Sequence, residues 1–117
     1  MHLYEQNILD HYRSPRNFGK MIKYDYICQQ VNRSCGDDLT VFVKMSGDVI
    51  SKIKFVGQGC AISQAAISIL SEELLGKTRE EVLSYNFNNI KKSLGVPISE
   101  RRYNCAMLGL TAIQKAL

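Results

Sequence analysis

The 117-residue chain has no tryptophan and no run of any kind that marks it out at first sight. It lacks the basic segment and apolar run that open a secreted protein. It starts Met-His-Leu-Tyr-Glu-Gln-Asn, so a signal peptide is not expected. It lacks a membrane-length apolar stretch, since Cys60 to Leu70 is about half a span and is interrupted by Ser and Gln. It also lacks a basic block. Residues 1–59 carry eight basic and six acidic side chains, and residues 60–117 carry seven and five, so the net charge of +4 is spread evenly. Nucleic-acid binding needs a concentrated basic face, so neither a nucleic acid nor a membrane is an expected partner. No internal repeat, low-complexity tract or linker divides the chain, and a single domain over 1–117 is expected. With 45% hydrophobic and 22% charged residues, there is apolar material for one core. A cytoplasmic, reducing location is the expectation, and cysteines there are more often ligands, reactive thiols or core residues than disulfides.

Periodicity predicts the elements. Residues 3–13 read as a helix with Tyr4, Ile8 and Tyr12 in one stripe beside Leu9, stopped by Pro15. Three strands follow. In 22–31, Ile22, Tyr24, Tyr26 and Cys28 share a face. In 39–45, Leu39, Val41, Val43 and Met45 do so. In 49–56, Val49, Ile53 and Phe55 point inward. Ser46-Gly47-Asp48 is a short hairpin connection. A helix over 61–75 ends at Gly76, Thr78 and Glu81 form a capping box, and Phe87, Ile90 and Leu94 mark another short helix before Gly95. A last helix carries Cys105, Leu108, Ala112 and Ile113 along one side. Strands first and helices afterwards predict an α+β fold, a three-stranded antiparallel sheet with helices packed on one face.

The four cysteines lie at 28, 35, 60 and 105, with no CxxC pair among them. Cys35 and Asp37 sit in a polar turn, Asn32-Arg33-Ser34-Cys35-Gly36-Asp37-Asp38, and read either as two metal ligands or as an exposed turn. Cys60 follows Gly57-Gln58-Gly59 just before a helix. Unpaired N–H groups there favour a thiolate, although a plain cap position is the other reading. Cys105 continues an apolar stripe, yet Arg101 lies four residues before it and Arg102 nearby, and cations favour thiolate. Cys28 shares a strand face with apolar residues and reads as packing. His11, beside the first helix's stripe, reads as structural, and His2 stands at the terminus.

Taken together, Asp10-His11-Tyr12 with Pro15-Arg16-Asn17 and Gly19, Cys35-Gly36-Asp37, Gly57-Gln58-Gly59-Cys60-Ala61-Ile62-Ser63 and Arg102 with Cys105 resemble the IscU/SufU family. These are NifU N-terminal-like iron–sulfur cluster assembly scaffolds. The resemblance covers nearly the whole chain, and the family's small antiparallel sheet with helices on one side agrees with the predicted elements. It implies a site of Cys35, Asp37, Cys60 and Cys105, with Cys35 and Cys105 as candidate sulfur acceptors. It implies a transient [2Fe–2S] cluster or Zn²⁺ as the bound species. Sulfur would come from a cysteine desulfurase and cargo would pass to acceptor apo-proteins, with frataxin-like or chaperone proteins as further partners. The role implied is that of a scaffold and sulfur acceptor more than of an enzyme, with a SufU-like zinc-dependent sulfurtransferase as the alternative. A structural zinc-binding adaptor is a second alternative. Thiolates suit zinc and iron–sulfur centres, and the hard carboxylate of Asp37 would be the ligand that lets go when cargo leaves.

The chain also departs from the family pattern. Asn104 stands where scaffold-type members place His, and only 44 residues separate Cys60 from Cys105 where SufU-like members carry an insertion. Val96-Pro97-Ile98-Ser99-Glu100 replaces the Leu-Pro-Pro-Val-Lys stretch read by a dedicated chaperone, and the proline usual before the first cysteine is missing. Twelve residues follow Cys105, which predicts a shortened last helix.

Overall fold

The structure, a computed structural model, describes residues 3–117, with side chains from Glu5 onward; His2 lies outside the described residues. Helix α1 spans Leu3–Arg13 and strands β1, β2 and β3 span Tyr26–Asn32, Asp37–Ser46 and Val49–Gln58. Helices α2 (Ala61–Glu73), α3 (Arg79–Leu83), α4 (Phe87–Leu94) and α5 (Tyr103–Ala116) follow, the last preceded by a 3₁₀ turn at Glu100–Arg102. The sheet is antiparallel in the order β1-β2-β3. The fold is therefore α+β, as the pattern of strands and helices predicts. Among the described residues no helix is long and apolar enough to cross a membrane.

Period two places the core. Leu39, Val41 and Val43 of β2 and Ile53 and Phe55 of β3 are fully buried on one face. Helices α2 and α5 cover that face, α5 over β1 and β2 and α2 over β3, and α1 packs on α2. The other face is wet, carrying Thr40 and Lys44 on β2 and Lys52 and Lys54 on β3. The thirteen-residue α2 is almost uncharged because it is wedged between sheet and helices; Ala65, Ile67 and Leu70 are buried on it. The Thr78/Glu81 capping box forms as predicted, and Gly95 ends α4 at φ 72°.

Three details of the predicted pattern are corrected. Strand β1 begins at Tyr26, not residue 22, and Ile22 is 94% exposed. Asp25 Oδ2 accepts the Met45 N–H at 2.7 Å just ahead of the strand, and Tyr24 packs edge-on against Phe42, which lies on the wet face. In β3 the inward residue near the hairpin is Ile50, not Val49. The register slips between Lys44↔Lys52 and Met45↔Ile50, so Ser51 is an extra residue that inverts the alternation. On α1 the buried positions are Ile8 and His11, while Tyr12 is 45% exposed. His11 Nδ1 sits 2.7 Å from Ser68 Oγ on α2, which also accepts the Arg16 N–H at 2.8 Å. His11 therefore has the structural place expected of it.

The two sheet edges differ. Asn17–Gly19 lies against β3, with Phe55 N–H donating to the Asn17 carbonyl at 3.2 Å and Gly19 N–H to the Phe55 carbonyl at 2.8 Å. Residues 76–79 cover the other half of β3, where Gly76 N–H donates to the Ile50 carbonyl and Arg79 N–H to that of Asp48. Strand β1 has no such cover among the described residues.

Candidate metal centre

Four chain segments converge at one end of the sheet: the β1–β2 turn, the first residue of β2, the start of α2 and the first turn of α5. They carry Cys35, Asp37, Cys60 and Cys105 in that order. One ligand atom each from Cys35, Asp37 and Cys105 lies within 4.8 Å of the others. The Cys35 and Cys105 sulfurs are 2.9 Å apart, and all four cysteines are free thiols.

Asp37 is 1% exposed and its carboxylate is held by the protein. Oδ1 accepts the Cys60 N–H at 2.9 Å and lies 3.1 Å from Ser63 Oγ, while Asn32 Nδ2 approaches Oδ2 at 3.5 Å. Asn32 Nδ2 is also 3.6 Å from Cys105 Sγ, so one amide touches both the Asp37 carboxylate and the Cys105 thiol. Cys60 is the N-cap residue of α2, but its side chain does not cap; Sγ points to Ser63 Oγ at 3.8 Å. The sulfur of Cys60 thus stands outside the close group of three but beside Cys105 and Arg102, and its backbone N–H ties it to Asp37.

Glycine is required beside these groups. A Cβ at Gly59 would run into Asp37 Oδ1 and Ser63 Oγ, so only glycine lets the end of β3 pass the carboxylate. Gly57, at φ 140°, lies against the Asp38 backbone carbonyl, again with no room for a side chain.

The electrostatics differ from the sequence expectation in two ways. Arg102, rather than Arg101, is the cation at the thiols. Negative charge on Cys60 and a hydrogen bond to Cys105 hold the Arg102 guanidinium pKa above its ordinary value. Cys105 is fully buried, and burial, followed by hydrogen bonds with Cys35, Asp37 and Cys60, pushes its thiol well above the ordinary range. Burial therefore outweighs the neighbouring arginine and favours the protonated thiol at Cys105. Cys35 and Cys60 are half-buried and reachable from solvent.

The remaining residues divide clearly. Cys28 is half-buried against the core on β1, paired with Val41 and approached by Gln30 Nε2 at 3.6 Å, which is a packing position. Asn104 is exposed. Asn32 and Ser63 are the site residues that sequence reasoning missed. The one available signal was position: Asn32 immediately precedes the cysteine turn, and Ser63 is the third residue of α2. A groove of about 620 Å³ is lined by Ile8, Leu9, Ile62, Val96 and Pro97 among others and does not include the thiols.

Three soft sulfur donors and one hard oxygen, gathered from four segments at a half-exposed position, define a metal- or cluster-binding protein of small α+β fold. The chain belongs to the family of NifU-like N terminal domains, which it matches over residues 3–117. It is 31% identical to the zinc-dependent sulfurtransferase SufU of Bacillus subtilis, across 98% of this chain and 89% of that protein. It is 32% identical to the iron–sulfur cluster assembly scaffold protein IscU 1 of Archaeoglobus fulgidus, across 98% of this chain and 74% of that one. The alignment with the sulfurtransferase runs over 132 positions and that with the scaffold over 115, so the sulfurtransferase carries residues this chain lacks. A crystal structure from Fervidobacterium islandicum AW-1, of a protein assigned as an iron–sulfur cluster assembly scaffold for the SUF system, superposes with a TM-score of 0.79. It is 29% identical and covers 95% of this chain and 93% of that one.

Proposed function

We propose that this chain is a scaffold on which an iron–sulfur cluster is assembled, with sulfur received from a cysteine desulfurase and the finished [2Fe–2S] unit passed to acceptor apo-proteins. The observation that carries this reading is the group of Cys35, Asp37 and Cys105 within 4.8 Å, with the half-buried Cys60 thiol at its rim. Three thiolates and a carboxylate bring a charge of −4, and a doubly positive cluster core or Zn²⁺ leaves −2 in either case. Arg102 stands where it offsets half of the remainder.

Burial supports an order of events. A thiolate takes sulfane sulfur by attacking the outer sulfur of a persulfide; the new S–S bond forms as the old one breaks, and the donor thiolate leaves. That requires access. Cys35 is half-exposed, whereas Cys105 is fully buried with a raised thiol pKa. Cys35 therefore precedes Cys105 as an acceptor, and Cys105 would complete the ligand set later.

Anaerobic purification followed by assay for zinc, iron and sulfide, before and after addition of desulfurase, cysteine, ferrous iron and a thiol reductant that brings the sulfane sulfur to sulfide, tests the proposal. Cluster absorption with stoichiometric sulfide, lost in Cys35→Ser, is the expected result. Persulfide without a cluster on protein that retains zinc establishes the sulfurtransferase alternative, which the Bacillus relative favours. Inert thiols and unfolding on chelation establish a structural zinc adaptor and overturn sulfur transfer.

A further inference from the structure

The open edge of β1 has features that fit a second copy of the same strand. Its sequence, Tyr-Ile-Cys-Gln-Gln-Val-Asn, contains no charge and no proline, and Ile27 and Val31 are 47% and 50% exposed on its outer side. Edge strands are usually protected from pairing by lysine, proline or a covering segment. The opposite edge of this sheet is covered twice, and β1 is not covered among the described residues.

We infer that β1 pairs antiparallel with β1 of a second copy, about a two-fold axis at Gln29, and joins the two sheets into one of six strands. The register follows from self-complementarity. With Gln29 opposite itself, Ile27 faces Val31 of the second copy, so each exposed apolar side chain meets another. Cys28 faces Gln30 on the helix side, and Tyr26 faces Asn32. One step beyond the strand on either side, Asp25 falls opposite Arg33. Both are exposed, and although Asp25 Oδ2 is taken by the Met45 N–H, its second oxygen is left to meet Arg33, so opposite charges flank the joint at each end. A shift by two residues in either direction would separate these charges, placing Ile27 against Gln29 and Val31 against Asp25, or Val31 against Gln29 and Ile27 against Arg33.

The helix layer extends the same surface. On the β1 side of α5, Asn104, Met107 and Thr111 border a shallow groove with Val31 and Asn32, and α5 carries one charge, Lys115, far from that groove. The two-fold axis brings this uncharged stripe of each α5 toward its counterpart. It leaves the two thiol groups at opposite ends of the joint, beside the residue 22–25 segment of the other copy. The inference does not depend on what the thiols bind.

Sedimentation of the full chain across a wide concentration range, with Gln29→Cys crosslinking, tests this. Cβ atoms of directly opposed residues are about 4.5–5.5 Å apart. Mild oxidation of Gln29→Cys therefore yields a crosslink joining position 29 of each copy, absent from the unsubstituted chain and mapped by peptide mass. Ile27→Lys with Val31→Lys converts the dimer to single chains. Both side chains are exposed in the single chain, so the circular dichroism of the folded chain stays that of the parent. A single-chain mass at every concentration overturns the inference. So does a dimer unaffected by the double substitution, or a Gln29→Cys chain that forms no 29–29 link.

Discussion

Asp37 divides its oxygens between the protein and the site. Its Oδ1 accepts the Cys60 N–H and lies within reach of Ser63, so the carboxylate has a resting arrangement that needs no metal. A hard ligand with such an alternative is suited to leave soft-ligated cargo. Asp37→Ala removes that arrangement and strands the Cys60 N–H. The expected result is a loss of about 1–3 kcal/mol in a urea titration together with slower cluster release to an acceptor protein; an unchanged release rate would remove Asp37 from that role. Gly59→Ala acts on the same carboxylate from outside. The added methyl displaces Asp37 Oδ1 and Ser63 Oγ, and zinc affinity falls by about 10–100-fold, as for other lost supports of a metal ligand, when measured against a chromophoric chelator. The cysteines and Asp37 could be read in the sequence because a thiol in a polar turn is unusual. The direction of the Cys60 sulfur, the amide of Asn32 and the choice of Arg102 over Arg101 could not. They depend on where α2 and α5 place their first turns relative to the β1–β2 turn.

Among the elements, α2 and α5 govern the site, because one carries Cys60 and Ser63 and the other Cys105. They meet at Gly109, where a Cβ would sit 3.0 Å from Ile67 Cβ and 3.1 Å from its Cδ1. Ile67 is fully buried and cannot withdraw. Gly109→Ala gains about 1 kcal/mol of helix propensity and meets an overpacking cost of about 1–3 kcal/mol. The cost wins: the thermal midpoint falls in a melting scan, and Cys105 shifts with the helix, weakening zinc binding in parallel. The extent of α1 follows from periodicity and proline, and the start of α3 and the end of α4 from their caps. The errors fell on strands. Period two continues smoothly through Asp25 and through Ser51 on paper, whereas one is a turn tied to Met45 and the other a bulge. Alternation cannot reveal an inserted residue, because register is set by the partner strand.

At the scale of the whole molecule, His11 joins α1, the Arg16 connector and α2 through Ser68. The Ser68 hydroxyl accepts the Arg16 N–H, and among the described residues His11 Nδ1 is the acceptor available for its proton, which favours the neutral imidazole. Burial, with Arg16 close by, holds the His11 pKa below its ordinary 6.5. The unfolded chain therefore binds a proton that the folded one refuses. The stability due to neutral His11 is fully present above about pH 6.5, and it declines as the pH falls below that value toward the lower folded-state pKa. Denaturant midpoints measured between pH 7.5 and 5, values chosen to span about 6.5, should show this decline, and His11→Gln should flatten it.

The residues alone determined the class of fold and most of the ligand inventory. Apolar spacing is a local property of helix and strand, and thiols set among polar neighbours stand out without any structure. Only the tertiary structure decided which of those thiols form one group, which cation faces them and which sheet edge stays open. Each of these is a contact between segments distant in the chain. Cys35 and Cys105 are 70 residues apart and are brought to 2.9 Å by a helix laid across a sheet. No local pattern encodes that approach, because it depends on how α2, α5 and the three strands share one core.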